Sequence, residues 1–241
     1  PDNARLVVTG DFDAAAAKDL IQKYFGSIVG PRGAVPRAPL ERRAQFVSHA
    51  LVFEHPLVTV QTLVLAWPAP RAFAPGTAAL DVFSHVLTNR LEKRLVKQDG
   101  LARAVERRFQ YHGAGAALLV EIDLADSAHR SDVEDAVVDE WARTWRGDWA
   151  RALGSAKQRA VLSFLRSLEQ PLWQAYEHLA AVLFQETPFD ASKRLNEYRS
   201  LTTKDMVALQ AHFRDHQWLV AWCLRPDPWV ETPDSGRLVI E

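Results

Sequence analysis

The residues best placed to do chemistry are histidines next to carboxylates. His212-Phe213-Arg214-Asp215-His216 forms an HxxDH run. Two imidazoles four apart on a helix share a face and can hold a divalent metal; the carboxylate between them serves a metal-bound water, and a further protein ligand closes the site. This run meets the requirement poorly. Trp218 opens an expected strand, so the helix should end before His216. Asp215 is shorter than the glutamate usual there, and Glu231 and Glu241 are the only glutamates downstream. A histidine near a helix C-terminus also suits the helix dipole without any metal. Gln174-Ala175-Tyr176-Glu177-His178 offers a Glu-His pair on a helix, but Gln174 is a poor metal ligand, and the stretch reads as helix surface. Leu51-Val52-Phe53-Glu54-His55 falls on a strand, where the same offset has the wrong geometry. No catalytic, cofactor-binding or metal-binding residue is assigned.

Other reactive groups fare no better. Cys223, the single cysteine, lies in an expected strand beside Trp222. A reactive thiol needs an electropositive and accessible setting, so Cys223 reads as a core residue. Gly113-Ala114-Gly115 is too short for a phosphate loop and reads as a hairpin connection. Arg90, Lys93, Arg94 and Lys97 follow helical spacing; they read as a solvated helix face that could line an acidic partner. Trp141, Trp145 and Trp149 recur four apart and are expected to form one packed helix stripe.

The 241 residues fit one large domain, or one domain with a piece of a neighbour. An apolar fraction of 48% is enough for a core, and a formal net charge of -1 gives no global pull toward nucleic acid or an anionic membrane. No apolar run is long enough for a spanning helix. One cysteine excludes an internal disulfide framework. The sequence opens at Pro1 without a signal peptide, which reads as a piece of a longer chain. It does not choose between bacterial periplasm and cytoplasm.

These groups must be positioned by a recognisable order of elements. Leu6-Val7-Val8 reads as a buried strand closed by Gly10-Asp11, followed by a helix over 14–25 capped by Asp13. Residues 29–43 hold Pro31, Gly33, Pro36 and Pro39 among Arg32, Arg37, Arg42 and Arg43, the pattern of a linker. The main domain is expected over 44–226, with a loose tail at 227–241. Strands at 46–54 and 58–67 flank Pro56 and are expected to pair antiparallel. A helix over 76–87 comes next, with its apolar stripe continued by Leu91, Leu95 and Val96. Strands at 104–111 and 116–124 come after it, then helices at 131–146, 151–168, 171–185, 192–198 and 204–213, the last capped by Thr203. A final strand covers 218–224. Strands set apart from a run of helices give an α+β fold: an antiparallel or mixed sheet with a layer of helices on one face.

Several ordered segments carry a family resemblance. The opening run from Pro1 to Asp13 resembles a PxNxxLVVxGDFD segment, and Tyr24-Phe25-Gly26 resembles KYFG. Leu65-Ala66-Trp67-Pro68-Ala69-Pro70, Leu80-Asp81-Val82-Phe83, Asn89-Arg90-Leu91-Glu92-Lys93-Arg94-Leu95 and Phe164-Leu165-Arg166-Ser167-Leu168-Glu169 continue the match in order. Together they resemble the pitrilysin/insulinase family of zinc metallopeptidases.

The resemblance implies two similar halves closing like a clamshell on an unstructured peptide, each half with two α+β domains. Zinc would be held in the first domain by an inverted HxxEH motif. This chain resembles the part C-terminal to that motif: residues 1–28 as the last strand and helix of the catalytic-type domain, and 44–226 as the second, non-zinc domain. Zinc is then expected upstream, not in this chain, with the upstream domain, the second half and the peptide as partners. The family's substrate-holding arginine and tyrosine are not carried over, because Val96 and Arg103 stand at those positions. The chain alone is expected to be inactive, and the Leu6 to Val8 strand, without its sheet neighbours, to pack loosely, mispair or join a second copy edge to edge. The same resemblance extends to core subunits of respiratory complexes, which makes a non-peptidase scaffold the alternative.

Overall fold

Alternation along the strands decides which side of the sheet the helices cover. The computed structural model describes residues 4–28, 50–70, 72–112, 115–147, 149–185, 188–215 and 219–224. Five strands, β1 (Ala50–Glu54), β2 (Thr62–Ala69), β3 (Ala102–His112), β4 (Gly115–Leu124) and β5 (Leu219–Leu224), form one mixed sheet in the order β1-β5-β2-β4-β3. Leu63, Leu65 and Trp67 of β2, Leu118, Val120 and Ile122 of β4, and Val220 and Trp222 of β5 all point into one core. Period-two alternation sends the residues between them to the opposite face.

The helices supply the other side of that core. They are α1 (Ala14–Phe25), α2 (Thr77–Leu91), α3 (Arg130–Arg146), α4 (Trp149–Leu168), α5 (Pro171–Gln185), α6 (Ala191–Ser200) and α7 (Thr203–Asp215). α2 is the central one, buried without a break from Thr77 to Ser84. Gly76 starts it at φ 92, a left-handed conformation that a side chain would strain. Past Leu91 the helix widens into a π-helix, Glu92–Gln98, in which Leu95 remains fully buried. Asp190 caps α6 by accepting from the N–H groups of Ser192 and Lys193. At α7 the backbone N–H and hydroxyl of Thr202 both donate to Asp205 at 2.7 Å, so Thr202 is the cap and Thr203 lies inside the helix.

The α+β architecture with helices on one face is as expected; several details differ. The strands around Pro56 do not pair with each other. β5 lies between them, parallel to β1 (Ala50 opposite Val220) and antiparallel to β2 (Leu65 opposite Val220). Leu219-Val220-Ala221-Trp222-Cys223-Leu224 has no charged residue and takes the inner place, whereas β1 ends in Glu54 and serves as an edge. β3 and β4 form the expected hairpin, with a register irregularity between Ala102 and Ala104.

Residues 4–9 form no strand, and Leu6 and Val8 are 61% and 47% exposed. A strand needs a neighbour for its backbone groups, and the sheet of the described residues offers this segment none. α1 comes next with the expected Asp13 cap, accepting from Ala16 N–H at 2.6 Å, and buries no residue. The tryptophans do not share one helix: α3 stops at Arg146 and Trp149 belongs to α4. They meet instead around Phe83, with Trp145 stacked at 4.2 Å. Cys223 is half-buried and alternates with Trp222, so it leaves the core for the opposite face. The linker at 29–43, the tail at 227–241, Trp218 and the 113–114 turn lie outside the described residues. No described helix is long and apolar enough to cross a membrane.

Candidate functional site

α2 carries a carboxylate into the core. Asp81 sits between Leu80 and Val82, both fully buried, and its side chain is only 12% exposed. A buried carboxylate needs partners. Tyr198 of α6 donates its hydroxyl to one oxygen. Arg107 reaches the other at 2.8 Å and also donates to Ser84 Oγ at 3.1 Å. Alternation on β3 brings Arg107 to the helix side, together with Val105 and Phe109. The second guanidinium nitrogen of Arg107 contacts His85 Nε2, one turn after Asp81 on α2.

The electrostatics are consistent with this geometry. Burial alone would raise the Asp81 carboxyl, but the Arg107 guanidinium and the Tyr198 hydrogen bond outweigh it and hold the group below its ordinary value. Burial, reinforced by Arg107, pushes the His85 imidazole down to about 4 against the pull of Asp81. The ring is therefore neutral near pH 7 and accepts from Arg107. Burial, helped by the Asp81 carboxylate, raises the Tyr198 phenol, which stays a proton donor. The Arg194 guanidinium stacks on the Tyr198 ring at 5.0 Å and donates to Glu197 at 3.1 Å. On α5, burial raises the Glu177 carboxyl while Arg194 opposes it.

This cluster joins α2, β3 and α6. Its acceptors are occupied: the Asp81 oxygens by Tyr198 and Arg107, the His85 nitrogen by Arg107. These pairings let the network fix the packing of the three elements. Sequence reasoning missed it. The available signal was an aspartate within an otherwise apolar helix run, facing an arginine on a strand with apolar alternation.

The metal candidates fall on three separate elements. His178 and Glu177 are neighbours on α5, but the His178 ring packs edge-on against Phe189 at 5.5 Å and Glu177 faces Arg194. His55 is exposed beyond β1, and its Nδ1 accepts the N–H of Leu57 at 3.2 Å. α7 runs to Asp215, and His216 lies outside the described residues. Among the described residues no three His, Cys, Asp or Glu side chains stand together as a metal site.

Two surfaces remain. Arg90, Lys93 and Arg94 line a cleft of about 480 Å³ together with Arg143 of α3 and Arg159 of α4. Lys97, the fourth member of that basic stretch, does not line it and pairs with Glu92 at 2.9 Å. On the sheet face away from the helices, Leu51 and Phe53 of β1 are 40% and 56% exposed.

Comparison with known proteins supplies a family for this geometry. The family described as the peptidase M16 inactive domain matches residues 1–152. A protease from Helicobacter pylori is similar in structure at 18% identity and a TM-score of 0.72, covering 89% of this chain and 54% of that one. A putative M16-like peptidase from Alicyclobacillus acidocaldarius is similar at 16% identity and a TM-score of 0.66, covering 89% and 52%. A chain of complex III2 from Candida albicans has 11% identity and a TM-score of 0.68, covering 89% and 53%. The chain thus spans about half the length of these structures. No curated protein sequence matches it. With well over half of its length matched by the family, and the same fold continuing through the later helices and β5, the chain belongs to the peptidase M16 inactive-domain family, the pitrilysin-type domain that its ordered motifs resemble.

Proposed function

We propose that this chain is the non-catalytic part of one half of a pitrilysin-type zinc metallopeptidase and walls the chamber that holds an unstructured peptide. The observation that carries this reading is the one-sided sheet: the helices and the Asp81 cluster brace one face, while β1 presents Leu51 and Phe53 on the other. An extended peptide is held by apolar contacts on such a face and by backbone pairing along a sheet edge. Zinc and its HxxEH ligands belong, on this reading, to another domain of the parent protein, because the ordered motifs of this chain resemble the part C-terminal to that domain. The likeness to a protease and to an M16-like peptidase supports it.

The test uses the chain and its parent protein. The chain alone, with zinc added, should leave an unstructured fluorogenic peptide intact, and the parent should cleave it. Phe53→Asp in the parent should raise KM with kcat retained, because an exposed wall residue adds binding and no chemistry. Cleavage by the chain alone, or unchanged constants in the variant, would sink the wall reading. The likeness to the complex III2 chain favours a second reading, a scaffold subunit without peptidase chemistry. A parent protein without HxxEH that cleaves nothing would select it.

A further inference from the structure

Five cations from four helical elements meet in one cleft. Arg90 comes from α2, Lys93 and Arg94 from the π-helix, Arg143 from α3 and Arg159 from α4. Like charges at this density repel unless something neutralises them. Glu140, 6% exposed at the side of the cleft, lies 2.9 Å from Arg143 and 3.7 Å from Arg90. Asp99 takes Arg94 at 2.6 Å, and Asp139 stands 3.9 Å from Arg143. Lys93 and Arg159 have no carboxylate partner among the described residues. The local carboxylates therefore leave a positive surplus inside a space of about 480 Å³, the size of a small-molecule site.

The π-helix is a second, independent feature of the same place. Its i→i+5 hydrogen bonds change which side chains stand above one another. Lys93 and Gln98 are five apart and both line the cleft, whereas Asn89 lies in α2, before the π-helix. A continued α-helix would align residues three and four apart instead. The wider turn thus brings Gln98 to the cleft in place of Lys97, and Asn89 of α2 adds a second amide donor beside the cations.

We infer that this cleft binds an oligophosphate group. Guanidinium forks match phosphate oxygens in pairs, and a compact run of phosphates answers a surplus charge crowded into a small volume. Among the described residues that line it, Val86 and Ala152 are the only apolar side chains and none is aromatic, so this lining gives a nucleobase no platform and a peptide little to bury. The phosphate chain alone is the recognised element, whether carried by an inorganic oligophosphate or by a nucleotide. The site is separate from the sheet face assigned to peptide and does not depend on that assignment.

The experiment is titration calorimetry of the chain with inorganic tripolyphosphate, adenosine triphosphate and a hexaglutamate peptide. Tripolyphosphate should bind at low salt (about 0.01 M, where the Debye length is about 30 Å) and weaken markedly as salt rises. If the phosphate chain is all that is read, adenosine triphosphate binds no more tightly; tighter binding would mark a nucleotide as the carrier and keep the phosphate contacts. Lys93→Gln with Arg159→Gln removes two carboxylate-free cations and should weaken tripolyphosphate about tenfold or more. Lys97→Gln, on the same helix but outside the cleft, should change nothing. Absence of tripolyphosphate binding, equal binding by the double variant, or preference for hexaglutamate would overturn the inference.

Discussion

Tyr198 donates its hydroxyl to the buried carboxylate of Asp81, tying α6 to α2 across 117 positions of sequence. Arg107 completes the charge balance from β3 at 2.8 Å. The two partners are not equivalent. Tyr198→Phe removes one hydrogen bond and leaves the carboxylate paired with its cation, a loss of about 1–3 kcal/mol. Arg107→Met leaves the anion buried without a counter-charge, a loss of about 3–5 kcal/mol. Urea unfolding should show both midpoints lowered at unchanged slope, with the arginine variant lower. Equal midpoints would mean that the cation does not hold the cluster together.

The same cluster makes stability depend on acidity. The folded-state pKa of His85, about 4, lies below the ordinary 6.5. Between those values the unfolded chain binds a proton that the folded chain refuses, so stability is full above pH 6.5 and falls toward pH 4. After allowance for screening at the open edge of the ring, the loss is on the order of 2 kcal/mol. Asp81 acts in the same direction at lower pH, because its folded-state value is also depressed and its contribution disappears as the carboxylate protonates. His85→Gln should flatten the profile between pH 6.5 and 4 relative to the wild type, and equal slopes in urea unfolding would count against the imidazole.

Element types were legible where local pattern and burial agree. The Asp13 cap, the β3–β4 hairpin and the long helix after Pro171 all arise from signals within a few residues. What escaped depends on distant partners. Leu219 to Leu224 reads as a strand, but its insertion between β1 and β2 depends on which strand is apolar enough for the middle of the sheet. Leu6 to Val8 has the composition of a strand and, among the described residues, no neighbour to pair with. The Asp81 cluster unites residues from α2, β3 and α6 that no local motif connects. The cleft was half legible: Arg90, Lys93 and Arg94 stand out by spacing, while Arg143 and Arg159 join them only through the packing of α3 and α4.

Phe83 is the hub of the aromatic core. Its ring stacks on Trp145 at 4.2 Å, meets Trp141 edge-on at 5.5 Å, and lies 5.6 Å from Phe213. Phe83→Ala leaves a cavity lined by these rings and should cost about 3–5 kcal/mol. Phe83→Leu should cost less, since most of the volume stays. Near-ultraviolet circular dichroism reports the tryptophan surroundings directly, and it should change in both variants. A spectrum identical to wild type would show that the rings do not pack through this position.

Two glycines should respond in opposite directions to the same substitution. Gly100, just after the π-helix, has φ +66, and a Cβ there would meet nothing within 4 Å. Gly100→Ala therefore tests backbone conformation alone, and the left-handed region costs a side chain about 1–2 kcal/mol. Gly154 lies inside α4, where a Cβ would also meet nothing within 4 Å. There the glycine only adds freedom to the unfolded chain, so Gly154→Ala should stabilise by about 0.5–1 kcal/mol. Thermal unfolding of the two variants should move the midpoint down for Gly100→Ala and up for Gly154→Ala. A fall for Gly154→Ala would mean that α4 needs the gap at that turn, and that a neighbour approaches it closely.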